Sequence, residues 1–443
     1  MLEAISPIDG RYASKTKELA TFFSEFALIK YRVKVEILYL ISLAELNVKN
    51  LPPFSENDIE TLHDIYRNFD LNDGQTIKDT EKITNHDVKA VEYYVKQKLT
   101  DIGKDDILEF VHFGLTSQDI NNTSLPMMLA DCLQDVIKPM IQDLIKDITQ
   151  LATEFKDIPM LAKTHGQPAS PTSLGKEFNV FIERLNLQFD QLENYVLSGK
   201  FGGATGNFNA HKVSYPQVDW KKFADEFVDS LGLKRSQFTT QIAHYDELSF
   251  VFDALARINT ILIDMCMDIW SYISMEYFKQ KTKKGEIGSS TMPHKVNPID
   301  FENAEGNLKL ANSIFRFLSE KLPVSRLQRD LTDSTVGRNL GVPLGHSLIA
   351  YKSIRKGLDK LILNKDAIDK DLNSNWAVVA EAIQTIMRRE KYPNPYEALK
   401  GLTRGKAQIQ KEDIHKFIND LNLNTVIKDE MKAITPFNYT GYV

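Results

Sequence analysis

A mainly α-helical chain organised around long bundle helices is what this sequence predicts, on three observations. Apolar residues recur at steps of three and four over stretches of about five turns in three separate places. No convincing run alternates apolar and polar residues as a half-buried strand would, the weak candidate being Lys212 to Val218. The chemically active side chains gather instead in polar islands beside the long helical stretches.

In chain order, "NLPPFSENDIETL" breaks the N-terminal helices at Pro52 and Pro53, and Ser55 followed by Asp58 reads as the start of the next helix. One stripe runs Ile137, Ile141, Leu144, Ile148, Leu151, Phe155, a second Phe178, Phe181, Leu185, Phe189, Leu192, Val196, and a third Leu255, Ile258, Leu262, Met265, Ile269, Tyr272. At that spacing Met and aromatic residues are packed core rather than a cofactor box. "GKFGGATGNFNAH", with Gly202, Gly203 and Gly206, matches neither a Walker loop nor a dinucleotide fingerprint and reads as a tight connection between helices. "NKDAIDKDLNSNW" near residue 364 is a second polar break. The expected division is a helical N-terminal domain over 1–111, a central long-helix bundle over 112–364 and a helical C-terminal domain over 365–443.

A chain of 443 residues can bury a sizeable core in two or three domains. Its 42% hydrophobic and 26% charged residues fit an ordinary globular protein. With 54 Lys and Arg against 60 Asp and Glu, the net charge of -6 argues against nucleic acid as a partner. The start, "MLEAISPIDGRYASK", lacks the apolar core of a signal peptide, and no apolar run approaches the roughly 20 residues that span a bilayer. The expectation is a cytoplasmic protein with no membrane partner. Cys132 and Cys266 stand in no metal-binding or CxxC spacing and read as small core residues.

The first island is "GEIGSSTMPHKVNPIDFE", residues 285 to 302. Asn297 and Pro298 read as N-cap and first residue of a helix whose first turn holds Asp300 and Glu302. Ser289, Ser290, Lys295 and Asn297 then cluster donors at the positive end of a helix dipole, which suits a carboxylate or an oxyanion; an ordinary polar surface loop with a cap would look the same. "KTHGQPASPTSLGKE" places His165 in a turn-rich, irregular stretch before a long helix, a position compatible with acid–base work. "TNHDVKAVEYYV" puts Asn85, His86 and Asp87 at the front of a helix, and "HFGLTSQDINN" does the same with His112, Thr116, Ser117, Asp119 and Asn122. The Asn, Ser, Thr and Asp among them are also good helix caps. "SRLQRDLTDSTVGRN" supplies Arg326, Arg329, Ser334, Thr335 and Arg338, and "DGRYAS" adds Arg11, Tyr12 and Ser14. Arginine with hydroxyls is equipment for a phosphate, although each stretch alone also fits a solvated charged face. The HxxxH and HxH spacings of metal sites and the GxSxG elbow of hydrolases are absent, and neither metal nor cofactor is expected.

The Ser-rich island resembles the GSSxMPxKxNP signature of the fumarase and aspartase superfamily, and "THGQPA" resembles its second conserved region. "SPIDGRY", "TNHDVKAVEY", "HFGLTSQDINN", "EIGSSTMPHKVNPIDFEN" and "LPVSRLQRDLTDSTVGRN" extend the likeness over nearly the whole chain, and within the superfamily they resemble the bacterial-type adenylosuccinate lyases. The resemblance implies three helical domains, a homotetramer with a twenty-helix core, and active sites where three subunits meet. It implies two substrates: adenylosuccinate, cleaved to AMP and fumarate, and the succinylcarboxamide ribotide of purine synthesis (SAICAR), cleaved to its carboxamide (AICAR) and fumarate.

It also implies roles. Ser289 is the general base and His165 the general acid; Thr116, Ser117, Ser290, Lys295 and Asn297 hold the succinyl carboxylates; Glu302 orients His165, with Asn303 beside it among the substrate contacts. Asn85, His86, Asp87 and Gln241 line the substrate site, while Arg11, Tyr12, Arg329, Ser334 and Arg338, with Ser14 and Thr335 alongside, receive the 5′-phosphate. Serine is a poor base, so closure of the loop and loss of water are expected to complete the site. After Gln241, "AHYD" stands where relatives carry an acid-Pro-His-Asp run, and His244 is given no role. The competing readings are a sister enzyme, argininosuccinate lyase or fumarase, which would leave the arginine clusters unexplained, and an inactive structural homologue, which would have no reason to keep Ser289, His165 and Lys295.

Overall fold

The computed structural model describes residues 2–281, 296–403 and 409–442; Ser289, Ser290 and Lys295 lie outside the described residues. The fold class is all-helical, as the stripes predict. Long helices span Glu25–Glu45, Lys138–Glu154, Leu174–Glu193, Asp246–Ser274, Ile299–Lys321 and Gly341–Asp359. Strands among the described residues occur only as short pairs: Pro159–Thr164 antiparallel to Gln167–Ser173, Ser198–Gly199 parallel to Lys234–Arg235, and Phe278–Gln280 antiparallel to Leu361–Leu363.

The stripes face inward because a 3.6-residue pitch stacks residues three and four apart on one side. Ile141, Leu144 and Ile148, then Phe178, Leu185 and Leu192, then Leu255, Ile258 and Met265 are all buried. Val196 departs from its stripe: the helix ends at Glu193, and Val196 is exposed. The residues Lys212 to Val218 are no strand either; the helix Asn209–Ser214 and the turn after it occupy them.

A larger departure is the "KTHGQPASPTS" stretch, expected to be irregular, which forms a β-hairpin. His165 and Gly166, with φ of 53° and 73°, are the two turn residues, and consecutive left-handed residues give the turn twist that a two-residue hairpin needs. Pro159, Pro168 and Pro171 hide the strands from a sequence reading, because proline is excluded from central strands. A two-stranded ribbon has only edges, so it tolerates them.

Helix starts follow their caps. Ser55 and Asp58 form a reciprocal capping box on Glu56–Arg67. The helix Asp87–Asp101 is capped by His86, whose Nδ1 accepts from Lys89 N at 3.1 Å. Asn297 and Pro298 precede Ile299–Lys321, with Asp300 and Glu302 in its first turn, one residue later than the caps suggest. Both cysteines are buried and unbonded. No described helix is long and apolar enough to cross a membrane.

The chain forms two compact units, one of residues 1–141, 188–260 and 307–350, the other of residues 142–187, 261–306 and 351–443. In the first, Phe252 and Phe315 stack with centroids 5.7 Å apart, and Asn259 Nδ2 donates to Ser347 Oγ at 3.0 Å. In the second, the ring of Phe301 lies over Gly357, where a Cβ would sit 2.8 Å from it. Lys356 and Lys360 both reach Asp300 at 3.0 Å. The C-terminal helices have their own cluster, including Trp376, Ile383, Met387, Ile414 and Met431. Phe315 is fully buried, so Phe315→Ala is expected to lower unfolding stability by about 3–5 kcal/mol in denaturant titration; a loss below about 1 kcal/mol would mean that its stack is not core.

Candidate active site

The first unit brings a helix start, a lysine and a glycine turn onto one carboxylate. Asp119, fully buried, is the third residue of the helix Ser117–Cys132; its Oδ2 accepts from Thr116 N at 2.8 Å. Its Oδ1 accepts from Lys200 Nζ at 2.8 Å, Gly202 N at 2.9 Å and Gly203 N at 3.1 Å. Burial pulls the Lys200 pKa down, and Asp119 opposes that pull. Asn122, one turn on, donates to Tyr245 Oη at 2.7 Å and accepts from Ala243 N at 2.7 Å. Asp119 and Asn122 therefore build the site's frame, and what they frame is the helix N-terminus at Thr116 and Ser117, where backbone N–H groups favour an anion.

Beside it lies a pocket whose lining includes Glu25, Arg32, Gln118, Tyr245, Ser334 and Arg338. Arg329 Nη2 donates to Ser334 Oγ at 2.8 Å, and its Nε reaches Asp333 Oδ1 at 3.4 Å. Arg338 donates to Glu25 Oε2 at 2.8 Å and to Asp87 Oδ2 at 3.1 Å, while Arg32 holds the same Asp87 oxygen at 2.8 Å. Burial would raise the Asp87 carboxyl, but Arg32, the Val88 N–H and Arg338 together hold it below the usual carboxylate range. Glu25 behaves alike: burial raises it, and Arg338 with Lys78 brings it net down. The pocket is thus a lattice of guanidinium groups, carboxylates and hydroxyls, equipped to exchange internal ion pairs for an anion such as a phosphate.

Of the residues expected around substrate, Asp87, Arg329, Ser334 and Arg338 converge here. Arg11 and Ser14 are exposed and Tyr12 half-buried at the start of the chain, where the Arg11 guanidinium stacks 5.9 Å from the Tyr12 ring. They do not line this pocket, nor do Thr335, Asn85 and His86, all exposed. Gln241 donates to Ala204 O at 3.2 Å. Asn85 ends one helix in a left-handed conformation, and His86 begins the next. Arg326 pairs with Asp330 at the surface, and His244 bonds to Phe238 O.

His112 is held by a 2.6 Å bond from Nδ1 to the fully buried Glu36; burial lowers its pKa, but Glu36 more than compensates and the net shift is upward. Sequence reasoning missed Arg32, Glu25 and Tyr245. Arg32 shares a buried face with Leu28, Val35 and Tyr39 in steps of four, three and four. A lone arginine on an apolar stripe was the available signal.

In the second unit, His165 stands exposed at the hairpin tip. Glu302 accepts from Trp270 Nε1 at 3.1 Å rather than pairing with His165 within the chain. Asn303 accepts from Ser353 Oγ at 2.9 Å, and Asn297 is half-buried ahead of its helix.

This helical architecture is the one shared by solved fumarate-lyase-type proteins. A fumarate lyase from Mesorhizobium sp. matches with a TM-score of 0.75 at 18% identity, covering 96% of this chain and 95% of that one. A 3-carboxy-cis,cis-muconate lactonizing enzyme from Pseudomonas putida matches at 0.76 and 18%, covering 96% and 94%. Residues 10–312 match the family described as Lyase, and residues 325–440 that described as Adenylosuccinate lyase C-terminal. The chain is 58% identical to an adenylosuccinate lyase of Dictyostelium discoideum, over 100% of this chain and 97% of the relative. It is 51% identical to one of Haemophilus influenzae over 99% and 97%. The chain belongs to the adenylosuccinate lyase family.

The depressed carboxyls give the ion-pair lattice a pH signature. A carboxyl lowered on folding stabilises fully above its unfolded value, about 4, and loses that contribution as pH falls through the folded value. Asp87→Asn is therefore expected to lower the melting temperature at neutral pH and to lessen its fall toward about pH 3. A melting curve with unchanged acid dependence would show that Asp87 is not held charged by Arg32.

Proposed function

We propose that this chain is a cytoplasmic, homotetrameric carbon–nitrogen lyase that eliminates fumarate from adenylosuccinate, giving AMP, and from SAICAR, giving AICAR. The observation that carries the reading is the full-length identity of 50–58% to relatives named adenylosuccinate lyase. The tetramer has support in the apolar side chains that a single chain leaves exposed on its long helices, among them Leu187, Met267, Trp270, Leu310 and Phe317. The domains proposed for the subunit are those expected from sequence.

A β-elimination needs a base for the proton next to a carboxylate, donors for the resulting aci-carboxylate, and an acid for the departing nitrogen. In the proposed assignment Ser289 takes the proton, the carbon–nitrogen bond breaks with its electrons going to nitrogen, and His165 protonates that nitrogen. The exposed hairpin tip supports His165 in this part, since it leaves the imidazole accessible rather than packed within its own unit. The N-terminus of Ser117–Cys132, with Thr116 and Ser117, suits a succinyl carboxylate, alongside Ser290, Lys295 and Asn297. Arg329, Ser334 and Arg338 suit the 5′-phosphate, which a substrate without phosphate would leave unused.

His165→Ala and Ser289→Ala are each expected to lower kcat by about 10²–10⁴-fold without changing oligomeric state or melting temperature. Near-normal rates in either variant would remove that residue from the mechanism. For Arg329→Ala the expected effect is a raised KM for phosphate-bearing substrate, with loss of kcat secondary; an unchanged KM would exclude it from the phosphate site.

A further inference from the structure

A two-stranded ribbon is marginal by itself, and its own hydrogen bonds do not fix the direction of its tip. The hairpin of His165 is such a ribbon, made of Pro159–Thr164 and Gln167–Ser173. Its strands are tied instead to side chains from the C-terminal part of the same unit. Lys163 Nζ, two residues before His165, contacts Asp371 Oδ2 at 2.9 Å. On the other strand, Ser170 Oγ donates to Glu381.

Asp371 is itself a fixed post. The same Oδ2 accepts from Tyr277 Oη, and Oδ1 accepts from Asn375 Nδ2 at 3.1 Å. Tyr277 runs into the strand Phe278–Gln280, which pairs with Leu361–Leu363, and Asn364 N donates to Tyr277 O at 2.8 Å just before the helix Lys365–Ser374 that carries Asp371. A small closed circuit of strand pair, helix and phenol therefore ends at the carboxylate that holds Lys163. The side chains of Lys163 and Asp371 are 27% and 25% exposed, so the pair is shielded enough to keep one geometry yet is no core element on which folding depends.

We propose that Asp371, acting through Lys163, is a positioning residue that sets the place of His165; the proposal rests on the reading of His165 as the general acid. Lys163 is about 7 Å along the strand from the tip, so a tilt at the anchor is carried to the imidazole almost undiminished. A displacement near 1 Å of a reacting group costs up to about 10²-fold in rate.

The test is steady-state kinetics of the full-length protein on adenylosuccinate for Asp371→Asn, Lys163→Met, their double variant and Lys163→Arg, with His165→Ala alongside. The expected result is a kcat about tenfold or more below wild type in each of the first two, with KM within about twofold. The double variant should be no slower than the slower single one, because both remove the same contact, and Lys163→Arg should recover part of the rate. Melting temperatures near wild type accompany this result. Single variants with wild-type kcat, or rate losses that multiply in the double variant, would overturn the proposal while an inactive His165→Ala leaves the general-acid reading standing. Rate losses matched by a fall in melting temperature would reduce Asp371 to a structural residue and overturn it equally. A His165→Ala enzyme with normal kcat would remove the general-acid reading, and the positioning role with it.

Discussion

Four donors converge on the buried carboxylate of Asp119, and the architecture of the first unit's site depends on that convergence. An ion pair with both partners at 0% exposure is costly to desolvate and is tolerated when further hydrogen bonds satisfy the buried charges. Here the backbone supplies what Lys200 does not. The glycines make the approach possible: a Cβ on Gly202 would lie 2.9 Å from Gly206 O, and Gly203 sits at φ 77°, so the turn can bring two N–H groups to one oxygen. The same carboxylate closes the first turn of Ser117–Cys132, so the helix end that suits a substrate carboxylate and the glycine turn are held in register by one side chain.

Around that frame the charges follow a single logic. Each arginine at the pocket meets a carboxylate: Arg32 is held by Asp87, Arg338 by Glu25 and Arg329 by Asp333. These carboxylates hold the guanidinium groups in place, with Arg32 buried, Arg329 half-buried and Arg338 exposed, so an anion that replaces an internal partner meets side chains already ordered. The second unit carries an imidazole at the tip of a ribbon whose strands are tied to helices near the C-terminus.

Much of this is legible in the sequence because its signals are local. The helix stripes, the Ser55–Asp58 cap, the helix starts at His86 and Thr116 and the acids after Asn297 each depend on neighbours within a few residues, and, Val196 and a one-residue delay after Asn297 apart, each is where local rules put it. The Arg329 to Arg338 cluster is legible because concentrated arginine is conspicuous in an acidic chain, and Arg329, Ser334 and Arg338 do come together around one pocket. What escapes is whatever depends on distant pairing. The hairpin around His165 is masked by three prolines that a ribbon accepts and a wider sheet would not. Arg32 is hidden among Leu28, Val35 and Tyr39, since only the fold shows that its stripe ends against Asp87. Val196 continues a period but not a helix, because the helix stops at Glu193. The bond between Trp270 and Glu302 likewise joins residues 32 apart in sequence, beyond any local pattern.

The most direct test of the account is turnover of adenylosuccinate by the wild-type protein, followed by ultraviolet absorbance with AMP and fumarate quantified by chromatography. The account predicts AMP and fumarate in equal amounts, and likewise AICAR and fumarate from SAICAR. Failure to release fumarate from either, with argininosuccinate or malate converted under the same conditions, would contradict it.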